Sequence, residues 1–155
     1  MLSFPERFPL KFSHFFYLNI ICLLIPIFCF ADNSVEQIIR DRLSKDKKTL
    51  DLSGARIGPS GAKTLASLKL LSEVENLLLP ENKIKYRGIK ALTKSPRSIK
   101  LKHIDLWGNM IGDIGLKALS ESSYIKEIEV LKLWKNEIGD ESLELMVQSS
   151  NFKRV

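Results

Sequence analysis

Ile104-Asp105-Leu106-Trp107-Gly108-Asn109-Met110-Ile111-Gly112-Asp113-Ile114-Gly115-Leu116-Lys117-Ala118-Leu119 is one of four degenerate copies of the same stretch. The others begin at Leu50, Leu77 and Leu131, so the step is 27 residues each time. Self-similarity at a fixed period of this size predicts a repeat architecture. The apolar pair of each copy is Leu50/Leu52, Leu77/Leu79, Ile104/Leu106 and Leu131/Leu133. The polar turn position holds Ala55, Asn82, Asn109 and Asn136, followed by Ile57, Ile84, Ile111 and Ile138. Gly61, Gly88, Gly115 and Ser142 come next, then Leu65, Leu92, Leu119 and Met146. Three residues before each pair stand Val74, Leu101 and Ile128, with Lys47 breaking that column in the first copy.

Leu-x-Leu has the period of a strand, so its two apolar side chains share one face. An Asn just after it serves backbone groups left over in the turn, and stacked copies place Asn82, Asn109 and Asn136 in a structural ladder. Ile-Gly-x-x-Gly leads into a helix, where Asp113 and Asp140 stand as candidate N-cap acceptors. Gly and Leu at i and i+4 share one helix face. A single unit cannot bury its apolar side alone, whereas stacked units share a continuous core.

The pattern L-x-x-L-x-L-x-x-N-x-I-G-x-x-G-x-x-x-L resembles the leucine-rich repeat, over roughly residues 47–155. Its period and Gly-containing helix are similar to the ribonuclease-inhibitor-like subfamily, which includes the ligand-sensing ends of NOD-like receptors and the Ran GTPase-activating protein. The resemblance implies an α/β fold: a short curved solenoid of four 27-residue repeats, parallel strands on its concave side and helices on its convex side. It also implies partner binding, usually of protein, through the concave face. Repeats 1 and 4 depart from the pattern at Lys47, Ala55, Ser142 and Met146, as terminal repeats do.

Residues 1–31 read as a secretory signal peptide. Arg7 and Lys11 form a basic n-region, and no Asp, Glu, Lys or Arg occurs from Phe12 to Ala31. Cys29-Phe30-Ala31 places small residues for cleavage between Ala31 and Asp32. This predicts a secreted or periplasmic protein. The alternative is a membrane-anchored one, because 20 uncharged residues reach across a bilayer. Both cysteines, Cys22 and Cys29, lie in this segment, so the processed chain holds neither disulfides nor thiolate chemistry. The lack of the cysteine-rich caps common in the animal secreted members of the family fits a bacterial envelope or exported protein.

Residues 32–46 predict a capping helix, with Asp32, Asn33 or Ser34 as its N-cap and an apolar stripe of Val35, Ile38, Ile39 and Leu43. Val35 and Ile38 lie 27 residues before Ala62 and Leu65, which makes this segment a half repeat. Residues 32–155 carry 22 Lys and Arg against 17 Asp and Glu. Lys63, Lys90 and Lys117 recur at one helical position and read as a solvated face rather than an anion-binding stripe. No basic block argues for nucleic acid. Val155 stands 27 residues after Ile128, which predicts an open sheet edge at the fourth strand: the edge is tolerated because it is short, or another chain, such as a second copy, covers it, or the chain is a trimmed member of a longer family.

Between the core leucines, alternate residues face the concave side. Leu78, Pro80, Asp105, Trp107, Lys132, Trp134 and Lys135 fall there and form the candidate patch for a protein partner. Trp107 and Trp134 share one column in adjacent repeats and predict a side-by-side pair, since neighbouring strands are ~4.8 Å apart. Exposed aromatics flanked by charge make binding hot spots. The competing reading folds both rings down against the rim. His103 and Asp105 suggest a general-base pair, but no nucleophile elbow, phosphate loop or metal-ligand spacing accompanies them. The expectation is therefore a binding module with no enzymatic activity, cofactor or metal.

Overall fold

The computed structural model describes residues 35–152. The expected leader with Cys22 and Cys29, the cleavage point Ala31/Asp32, the capping candidates Asp32, Asn33 and Ser34, and Val155 lie outside the described residues. Residues 35–41 are helical (α1). Strands and helices then alternate: β1 (Thr49–Asp51), α2 (Gly58–Ser67), β2 (Asn76–Leu78), α3 (Lys85–Thr93), β3 (His103–Asp105), α4 (Gly112–Ser120), β4 (Val130–Lys132) and α5 (Asp140–Gln148). Short 3₁₀ turns at Lys69–Glu73, Pro96–Lys100 and Ser150–Phe152 close the second, third and last helices. The strands form one parallel sheet in the order β1-β2-β3-β4. Leu50, Leu77, Ile104 and Leu131 lie in register across it. The 27-residue period is thus the repeat unit of an α/β solenoid. Helices need 8–10 Å each where strands need about 4.8 Å, so the sheet side is the inner, concave one.

The apolar columns form the core. Leu50, Leu52, Leu77, Leu79 and Leu106 are fully buried, and Ile84, Leu65, Val74 and Leu101 join them from turns and helices. The glycine of each helix permits close packing: a Cβ on Gly88 would collide with Ile84 of its own repeat and come within 2.9 Å of Ala62 on α2. Lys47 needs no apolar character because the chain enters differently there. Leu43 forms an antiparallel bridge with Leu50, and Ser44 N–H donates to the Thr49 carbonyl at 2.9 Å.

The expected N-caps are corrected by the structure. Neither α4 nor α5 has a side-chain cap. The helices α2, α3 and α4 start instead from a residue in the left-handed region, namely Gly58, Lys85 and Gly112 (φ +63°, +57° and +59°). The N–H of each donates to the carbonyl of the next repeat's asparagine, at 3.0, 3.0 and 2.9 Å. A donor that a side-chain cap would satisfy is already used between repeats. Asp113 lies in the first turn of α4 and accepts from Gly139 N–H of the following repeat at 2.8 Å. Asp140 is the first residue of α5.

Candidate functional site

The inner face is built from the alternate residues of four three-residue strands and the turns that follow them. The turns are held by Asn82, Asn109 and Asn136, all buried. Asn82 Oδ1 accepts from Ile57 N–H at 3.2 Å, and its Nδ2 donates to the carbonyls of Leu52 and Pro80 at 2.8 and 3.0 Å. Asn109 Oδ1 accepts from Asn82 and Ile84 N–H at 3.1 and 3.2 Å, and its Nδ2 donates to the Leu79 carbonyl at 2.8 Å. Asn136 repeats the arrangement on Asn109 N–H, Ile111 N–H and the Leu106 carbonyl. Each asparagine therefore serves the turn of the repeat before it.

These turns fix the backbone beneath the tryptophans. The Trp107 carbonyl accepts from Glu81 N–H, and that of Trp134 from Gly108 N–H, both at 2.9 Å. Asp105 Oδ1 accepts from Trp107 N–H at 3.1 Å, and Oδ2 pairs with Lys132 Nζ at 3.2 Å. The Asp105 side chain is 14% exposed, so this pair is shielded on one side only. Trp107 and Trp134 follow adjacent strands, and the two rings differ in exposure. Lys135 lies over Trp107 with its ammonium 4.7 Å from the ring centroid, while Trp134 is 78% exposed. A cation over a tryptophan face is an attractive arrangement. Leu78 and Pro80 are half-buried beside this group. Val130, not among the expected patch residues, adds an exposed apolar side chain at the start of β4.

Asp51 and Glu81 are exposed in the first two repeats of the same face. Ser53 donates its hydroxyl and N–H to Asp51 Oδ1 at 2.5 and 2.9 Å, which holds the Asp51 carboxyl below its ordinary range. Arg42 reaches the Ser53 carbonyl at 3.0 Å from the capping segment. Along the rim, Glu75 pairs with Lys48 at 3.1 Å and Lys102 at 3.7 Å, and the Lys48 contact lowers the Glu75 carboxyl.

The His103–Asp105 pair is not assembled. His103 Nε2 is buried without a hydrogen-bond partner, and both Asp105 oxygens are occupied by Trp107 and Lys132. Among the described residues no cluster of three or more His, Cys, Asp or Glu is placed to hold a metal. A second ladder escaped the sequence reading. Ser95, Ser122 and Ser149 donate their hydroxyls to the carbonyls of Ala66, Thr93 and Ser120 in the preceding helices, at 2.6, 2.8 and 2.8 Å. Their 27-residue spacing was the available signal. Lys63, Lys90 and Lys117 are exposed on the helical side, and Lys117 pairs with Glu121 at 3.8 Å.

Among curated proteins none matches the chain. A family model described as Leucine Rich repeat matches residues 48–66 and 97–120. The first match spans β1 and most of α2, and the second spans β3 and α4. Two such matches, on a parallel sheet whose strands alternate with helices at a constant step, support a leucine-rich repeat protein with the α/β solenoid fold of that family.

Proposed function

We propose that the chain is an exported, non-catalytic protein-binding module that takes its partner on the inner sheet face, at Leu78, Pro80, Asp105, Trp107, Lys132, Trp134 and Lys135. The observation that carries this reading is Trp134: a tryptophan 78% exposed on an ordered face, beside Trp107 and its covering Lys135. A large rigid ring left in water on a scaffold that has no packing need for it is the usual form of an interface anchor. The leucine-rich repeat matches support the same class, since such repeats suggest a protein-binding role. The absence of catalysis is supported by Asp105, whose carboxylate is committed to Lys132 and Trp107 rather than to His103. Export is supported by the basic, then uncharged, then small-residue order of the first 31 residues. The test captures partners from extracts with the full chain and with Trp107→Ala/Trp134→Ala at matched folding. Loss of a partner in the variant supports the site, and identical capture refutes it. The intact mass of the exported chain tests cleavage after Ala31.

Self-assembly through β4 is the second reading. Among the described residues no strand pairs with the outer edge of β4. Leu131 and Leu133 are half-buried where their counterparts Leu77, Leu79 and Leu106 are fully buried. Light scattering over a concentration series tests it: a dimer that forms as concentration rises supports the reading, and a monomer throughout rejects it.

A further inference from the structure

Charge is not spread evenly over the inward strand positions and the two residues that follow each strand. At the end formed by the last two repeats, Lys132 and Lys135 stand against the single carboxylate Asp105, a surplus of one positive charge. Asp105 is already paired with Lys132, and among the described residues Lys135 has no carboxylate partner. At the other end, Asp51 and Glu81 stand against Arg42, a surplus of one negative charge. Between them lie the apolar surfaces of Leu78, Pro80 and Trp107, while Trp134 stands on the last repeat with the two lysines. The register Asp51↔Leu78↔Asp105↔Lys132 fixes this order across all four strands.

We infer that the occupant of this face is an extended protein segment with its own dipolar order, acidic over Lys132 and Lys135, apolar over Trp107, Leu78 and Pro80 and basic over Asp51 and Glu81. The inference rests on the sheet-face reading above and names the chemistry of its partner. Three gaps between four strands span roughly 14 Å, the length of about four to five extended residues. The opposed charges at the two ends set the direction in which the segment lies, because the reversed segment meets like charge at both ends. Trp107 and Leu78 supply the apolar contact between the charged ends, and Trp134 adds one at the lysine end.

A displayed library of random seven-residue peptides, selected on the full chain, tests this without a known partner. The expected result is enrichment of peptides with an acidic residue at one end, an apolar or aromatic centre and a basic residue at the other. Selection on Lys135→Glu, with folding checked by its melting curve, then loses the acidic preference. An enriched acidic peptide binds that variant about threefold or more weakly, and the difference shrinks in high salt. Enrichment with no charge order, or an order that Lys135→Glu leaves unchanged, overturns the inference while leaving the face intact. Peptides that bind Trp107→Ala/Trp134→Ala as well as the parent chain overturn the sheet-face reading itself. A library from which nothing is enriched counts against both.

Discussion

Ala55 stands where the other repeats have Asn82, Asn109 and Asn136, and the hydrogen bonds explain why. Asn82, not a residue of the first repeat, supplies the acceptor for Ile57 N–H and the donor for the Leu52 carbonyl. The ladder therefore needs one asparagine fewer than there are turns. Asn109→Ala leaves the N–H groups of Asn82 and Ile84 and the Leu79 carbonyl buried without partners. It is expected to cost about 3 kcal/mol in urea unfolding, since each buried orphan costs about 1–3 kcal/mol. A loss below about 1 kcal/mol contradicts the role given to it. The left-handed positions are a second matter of single residues. Positions 54, 81, 108 and 135, positions 56, 83, 110 and 137, and positions 58, 85 and 112 all have positive φ, yet Glu81, Lys83, Lys85 and Lys135 are not glycine. A Cβ at the equivalent Gly58 or Gly112 meets nothing within 4 Å, so the cost at Lys85 is backbone strain alone. Lys85→Gly is expected to raise stability by about 0.5–1 kcal/mol, the strain relieved outweighing the entropy glycine adds to the unfolded chain. A lower unfolding midpoint contradicts this. These positions were not legible in the sequence, because a lysine or glutamate carries no mark of the φ it is forced to adopt.

At the scale of elements, the starts of α2, α3 and α4 are tied forward to the next repeat, and that of α5 is not. Gly139 has φ −81° and belongs to the β region, unlike Gly58 and Gly112. Its N–H turns back to Asp113 on α4. A hydrogen bond from Ser142, then the Gly139 N–H, hold the Asp113 carboxyl below its ordinary value of 3.8. A carboxyl lowered in the folded state stabilises it fully above the unfolded value and ceases to do so as pH falls through the folded one. The α4–α5 junction is therefore expected to be tight at pH 6 and loosened near pH 2. The protection factor of the Gly139 amide measures it, with Asp113→Asn as the reference that lacks the acid step. Equal protection at both pH values contradicts the assignment. The strands, helices and apolar columns were legible because 27-residue self-similarity marks every core position four times. The capping role of Asp113 was misjudged because an acid at a helix start looks the same whether it serves its own helix or the next.

For the whole molecule, a solenoid's stability is carried by contacts between neighbouring repeats. Repeats 2 and 3 have neighbours on both sides and fully buried Leu77, Leu79, Ile84 and Leu106. Leu131, Leu133, Ile138 and Met146 of repeat 4 are only partly buried. Hydrogen exchange is therefore expected to be fastest in β4 and α5 and slowest in β2 and β3, and uniform exchange contradicts a repeat-by-repeat account. Of the candidate site, the column shared by Trp107 and Trp134 was legible from their spacing. The different fates of the two rings were not, because they depend on where the Lys135 side chain lies. Trp134 is the proposed open anchor of the binding face. Trp107→Phe makes Trp134 the sole tryptophan, and acrylamide quenching of its fluorescence measures its access to solvent. Quenching close to that of a free indole is expected in the isolated chain, and strong shielding once a selected peptide is bound. A ring shielded in the isolated chain, or one equally open in the complex, contradicts it.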